Sequence, residues 1–113
     1  MHKDWKELTQ TLSKAMAEVR KGAPDMAKGF TALARASTAS GALDTKTKEL
    51  IAVAIAIAVR CDGCIGFHVK SAVDAGASRE EMIETVAMSV YMGGGPSFVY
   101  GAQALEAFDQ FTA

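Results

Sequence analysis

Several things are scarce in this 113-residue chain, and each scarcity removes a class of function. There is no basic excess: 12 Lys and Arg stand against 13 Asp and Glu, for a formal net charge of -1. The charges are also scattered, which reads as a solvated surface and leaves no electrostatic footprint for nucleic acid. Long apolar runs are missing too. The longest, Leu50 to Val59, is too short to span a bilayer and fits a buried helix, so no membrane role is expected. No apolar run follows Met1-His2-Lys3-Asp4-Trp5-Lys6, so no signal peptide is read and a cytoplasmic location is expected. No segment alternates with period two, which argues against strands. No internal repeat, low-complexity tract or long linker divides the chain. One domain over residues 1–113 is the expectation.

What is present is apolar and helical. Half of the residues are hydrophobic (50%), while aromatics make up 7%. A small chain of this composition buries a modest core of its own. The expectation is that it hides further surface against copies of itself.

The apolar positions recur at helical spacing. Trp5, Leu8, Leu12, Met16 and Val19 form one stripe, ended by Gly22. Pro24 suits the first turn of a second helix carrying Met26, Phe30, Leu33 and Ala34. Asp44 caps a third helix over about Thr45 to Val59. Asp62-Gly63 reads as a turn, followed by a fourth helix from about Cys64 to Ala75 that Gly76 stops. Ser78-Arg79-Glu80-Glu81 has the form of a capping box and opens a fifth helix through Met82, Ile83, Val86, Val90 and Tyr91. Gly93-Gly94-Gly95-Pro96 breaks the chain before a sixth helix with Phe98, Val99, Ala102, Leu105, Phe108 and Phe111. That run lacks the spacing of nucleotide loops, so it reads as a tight turn rather than a phosphate cradle. Met82, Met88 and Met92 read as core or interface filler. The fold class expected is all-α, with about six helices in an antiparallel arrangement.

The chemistry concentrates in Cys61-Asp62-Gly63-Cys64-Ile65-Gly66-Phe67-His68. In the cytoplasm a close cysteine pair points to catalysis or metal binding rather than a structural staple. A Cys-x-x-Cys pair closes to a disulfide with little backbone movement. A helix N-terminus adds partial positive charge that favours the thiolate. With the fourth helix starting near Asp62 or Gly63, Cys64 lies in its first turn and Cys61 on the preceding loop. His68 follows Cys64 by four residues, so the two share a helix face and an imidazole there can accept and return the thiol proton. The nearest acid in an apolar setting is Glu49. On one continuous helix Glu49 and Cys61 would lie roughly 18 Å apart, too far for a relay. Glu49 reaches His68 only if the chain reverses between about Arg60 and Gly63. Two other readings compete: a pair of buried small side chains, and a zinc site formed by Cys61, Cys64, His68 and Glu49. The latter lacks the second Cys/His pair common in structural sites. His2 reads as idle.

These residues also carry a resemblance. Lys48-Glu49-Leu50-Ile51, the twelve-residue step from Glu49 to Cys61, the Cys61-Asp62-Gly63-Cys64 motif and His68 resemble the carboxymuconolactone decarboxylase family, more narrowly its alkylhydroperoxidase D-like branch. Gly76-Ala77-Ser78 and Met92-Gly93-Gly94-Gly95-Pro96 are similar as well, and the likeness covers about residues 20 to 110. The resemblance implies an all-helical, homo-trimeric or homo-hexameric protein with peroxidase activity and no cofactor. Its partners would be a peroxide substrate and a dithiol reductant of protein or lipoyl type. Position by position, it implies that Cys64 attacks the peroxide, Cys61 resolves, and His68 with Glu49 relays protons. Some relatives carry an additional histidine where this chain has Gly63. The lactone decarboxylases that name the family do not depend on a cysteine pair. The reading is therefore a thiol-dependent peroxidase or disulfide reductase. The alternatives are a non-enzymatic redox-sensing or zinc-binding oligomer, or a lactone decarboxylase.

Overall fold

The structure is a computed structural model that describes residues 1–113. It contains six helices and no strand: α1 (Trp5–Gly22), α2 (Pro24–Thr38), α3 (Thr45–Ala58), α4 (Asp62–Asp74), α5 (Arg79–Gly93) and α6 (Gly95–Thr112). The local signals behave as their chemistry requires. Asp4 and Asp44 accept the N–H groups of Glu7 and Thr47 at 3.0 and 2.8 Å. Ser78 and Glu81 form a reciprocal capping box. Pro24 and Pro96 lie in the first turns of α2 and α6, where a missing N–H costs nothing. Gly94 carries φ 73° between α5 and α6.

Helices α3 to α6 pack together and α1 lies across α4 and α6. The core between them holds Trp5, Val53, Ile57, Ile65, Val69, Met82, Ala104 and Phe108. The start of α1 is sewn to α6. Glu106 accepts from the backbone N–H of Lys3 and from Trp5 Nε1 at 2.9 and 2.8 Å. Gln110 accepts from the Trp5 N–H at 2.7 Å and donates to the Lys3 carbonyl at 2.6 Å. Trp5 can be fully buried because its indole N–H has found this partner.

The outer faces depart from a simple one-subunit core. On α1, Trp5 is buried and Leu8 and Leu12 are half-buried, but Met16 and Val19 are exposed. No residue of α2 is buried, and its Met26, Phe30 and Leu33 face outward. The methionines divide as well: Met82 is in the core, whereas Met88 and Met92 are exposed. Periodicity identifies which residues share a helix face, but not what that face meets.

The turn before α4 also differs from the expectation. Asp62 and Gly63 do not turn; they are the first two residues of α4. The reversal is made by Val59, Arg60 and Cys61. The Arg60 N–H reaches the Ile57 carbonyl at 3.2 Å, and the Cys61 N–H reaches that of Ala56 at 3.1 Å. This is a Schellman closure of α3, and it demands a left-handed residue at its centre. Arg60 fills that place with φ 59°, whereas the equivalent place after α4 is taken by Gly76 with φ 93°.

Burial opposes the charge on Glu106, but N–H groups of His2, Lys3 and Trp5 outweigh it and hold the carboxyl below its usual range. A depressed carboxyl stabilises the fold above its unfolded value, and that stability is lost as pH falls through the folded one. Glu106→Ala is expected to cost about 1–3 kcal/mol at neutral pH by orphaning its donors. Urea unfolding of both proteins checks this, and the gap between them should narrow as pH falls below the ordinary glutamate value of 4.5.

Candidate functional site

Cys61 ends one helix and begins the next. Its N–H closes α3, and its sulfur caps α4 by accepting the Cys64 N–H at 3.2 Å. It adopts φ -104° and ψ 100°, the extended backbone of an N-cap residue. Cys64 is the third residue of α4. The sulfurs of Cys61 and Cys64 are joined in a disulfide, with Cα atoms 5.2 Å apart. Both residues are half-buried rather than sealed in the core, which argues against a pair of inert core side chains. Negative charge on either sulfur would meet the unpaired N–H groups and positive dipole end of α4.

One turn after Cys64, His68 Nδ1 lies 2.8 Å from Glu49 Oε2. Glu49 projects from the fifth position of α3, and its side chain is only 8% exposed, against 40% for His68. The reversal at Arg60 makes this contact possible by running α4 back along α3. A carboxylate only accepts hydrogen bonds, so Nδ1 donates and Nε2 is left for proton exchange. Thus the reversal brings Glu49 to His68, a contact that one continuous helix would forbid.

The other residues considered separate cleanly. His2 lies in the segment before α1, with its backbone N–H on Glu106. With Cys61 and Cys64 joined in the disulfide, no group of three or more His, Cys, Asp or Glu side chains is placed to hold a metal ion. No helix is long and apolar enough to cross a membrane.

Gly63 acquires a physical explanation. A Cβ built there would stand 2.8 Å from Leu12 Cδ1 on α1. Gly66, one turn along, is closer still to α1: its Cβ would meet Thr9 Cγ2 at 2.7 Å and Trp5 Cε3 at 3.4 Å. The end of the Leu12 side chain would therefore have to shift to admit a larger residue at position 63. Sequence reasoning also passed over two residues at the cysteine pair. Lys3 Nζ reaches Asp62 Oδ2 at 2.7 Å. An acid between two cysteines is a visible signal for a counter-charge, but nothing in the local sequence identifies Lys3 as its source.

The helical architecture, the disulfide at a helix N-terminus and a carboxylate–imidazole pair one turn along the same helix define a small all-α protein with a Cys-x-x-Cys pair. The carboxymuconolactone decarboxylase family model matches residues 24–107, and the chain belongs to that family. A crystal structure of a ligand-free family protein from Legionella pneumophila is 51% identical, covers 96% of this chain and 97% of its own, and superposes with a TM-score of 0.94. A second crystal structure, from Thermotoga maritima, is 32% identical over 76% of this chain and 89% of its own, with a TM-score of 0.70. It is described as a family protein with a possible involvement in antioxidative response. An uncharacterized protein of Haemophilus influenzae is 40% identical over 108 residues, 96% of each chain.

Packing of α1 over Gly63 makes a specific prediction. Gly63→His is expected to lower stability by about 1–3 kcal/mol through overpacking. The loss should be smaller in a Leu12→Ala background, as a double-mutant cycle of unfolding free energies will read.

Proposed function

We propose that this protein is a thiol-dependent peroxidase or disulfide reductase of the alkylhydroperoxidase D-like branch. The observation that carries the reading is the 2.8 Å His68–Glu49 contact one turn from Cys64, whose sulfur is already paired with Cys61. The antioxidative connection described for the Thermotoga relative supports it. The lactone decarboxylase reaction gives no role to the disulfide, and a lone redox sensor gives none to the buried Glu49.

In this reading the Cys64 thiolate attacks the distal oxygen of a peroxide. The O–O bond breaks, the leaving alkoxide takes a proton from His68, and Cys64 becomes a sulfenic acid. Glu49 holds the ring through Nδ1, so Nε2 carries the proton traffic. The Cys61 thiol then attacks the Cys64 sulfur, forming the disulfide and releasing water. An external dithiol, of protein or lipoyl type, reduces the pair by two exchanges and restores both thiols. Such cycling belongs to a reducing compartment such as the cytoplasm.

The same reading includes a homo-trimer or homo-hexamer. Support comes from α2, which buries nothing while Phe30 and Leu33 stay 60% and 62% exposed. Ile51 and Ile55 on α3, Val59 just after it, and Tyr91 and Met92 on α5 are exposed too. Apolar surface on this scale marks an interaction face.

Two measurements test the proposal. Cys64→Ser should abolish peroxide consumption in the presence of a dithiol reductant, and His68→Ala and Glu49→Gln should slow it by about a hundredfold or more. Normal turnover by Cys64→Ser would sink the reading. Light scattering of the wild-type protein should give a trimer or hexamer, and Phe30→Glu with Leu33→Glu should dissociate it; a monomeric wild type would refute the assembly.

A further inference from the structure

Asp62 is in an awkward place for thiol chemistry. It is the first residue of α4, between the two cysteines. An acid there suits the helix dipole, so it has a structural reason to be present. Yet the same charge cancels the positive potential that would favour a thiolate on Cys61 or Cys64. Something must offset it if the site is to ionise easily.

Lys3 is fixed to do so. Its Nζ donates to Asp62 Oδ2 at 2.7 Å and to Gln103 Oε1 at 2.8 Å. The ammonium also stands 5.4 Å from the centre of the Trp5 ring, within range of a cation–π contact. Its backbone is held at both ends, with the N–H on Glu106 and the carbonyl on Gln110. Its side chain is 27% exposed. An ordinary surface ion pair is weak because two long side chains must be ordered to make it. Here the ordering is already done by α6 and Trp5, and the pair spans 59 residues of sequence.

We propose that Lys3 is a positioning residue for the cysteine pair: it masks the Asp62 carboxylate and so keeps the N-terminal end of α4 favourable to a thiolate. The inference rests on the reading that this pair works through a thiolate. The other charged groups around the site, Arg60 excepted, have separate partners. On α4 itself, His68 is engaged by Glu49 of α3. From α6, Glu106 faces backbone N–H groups and Trp5, and Gln103 is neutral. From α1, Leu12 covers Gly63 and brings no charge. Arg60, in the turn before Cys61, is exposed and has no side-chain partner. Lys3 is therefore the cation paired directly with the acid inside the motif.

The test is the pH dependence of iodoacetamide alkylation of the dithiothreitol-reduced protein, read for Lys3→Gln, Asp62→Asn and the double variant. Lys3→Gln should move the midpoint up by roughly half to one pH unit, the effect of an unmasked unit charge on the residue between the two cysteines. In the Asp62→Asn background the same substitution should have little effect. Asp62→Asn alone, which leaves the backbone anchors of Lys3 in place, should move the midpoint down. No shift on losing Lys3, or an equal shift in both backgrounds, would overturn the masking role. A purely structural fastening by Lys3 would lower the melting temperature without moving the midpoint, and would overturn it as well. A peroxide assay on the same samples keeps the two proposals apart. The alkylation shift without peroxide consumption defeats the peroxidase reading alone; consumption without the shift defeats the masking role alone.

Discussion

The reversal between α3 and α4 is the constraint on which the site depends. Three residues make it, and the middle one, Arg60, is held at φ 59° without being glycine. A left-handed conformation costs an ordinary residue about 1–2 kcal/mol. The return is a Schellman closure that satisfies the last carbonyls of α3 and sends the chain straight back. Because the turn is so short, Cys61 serves two helices at once, closing α3 through its N–H and capping α4 through its sulfur. The same reversal carries His68 back to Glu49. A longer connection would leave both relations to chance.

The second constraint is the close approach of α1 to α4. Gly63 and Gly66 leave no side chain on the face that α1 covers, and Leu12, Thr9 and Trp5 take that volume. Burying Trp5 requires a partner for its indole, and Glu106 provides it while also holding the chain before α1. That anchoring delivers Lys3 to Asp62. The packing of Leu12 against position 63 is thus continuous with the contact that brings a cation to the motif.

Much of this was legible in the sequence, for identifiable reasons. Capping side chains, proline placement and 3.6-residue periodicity are local, and they located all six helices to within a few residues. Cys64 and His68 are four residues apart on one helix, so their common placement on α4 was legible as well. Glu49 could be named only conditionally, because its value depended on a reversal. Asp62-Gly63 carried the usual turn signal but became helix, since a cysteine sulfur supplied the cap one residue earlier. Arg60 gave no warning, because arginine has no preference for the left-handed region.

The sequence by itself determined the helical class, the helix ends and the residues able to do thiol chemistry, since each follows from groups within a few residues of one another. Only the tertiary structure decided that Glu49 meets His68 and that Lys3 meets Asp62. Those contacts join residues 19 and 59 positions apart, and they arise from how buried faces stack. It likewise decided which apolar stripes reach the core and which remain open. The stripe on α1 is half covered and that on α2 not at all. Periodicity sets the direction a side chain faces, whereas the neighbour it finds is set by the packing of whole helices.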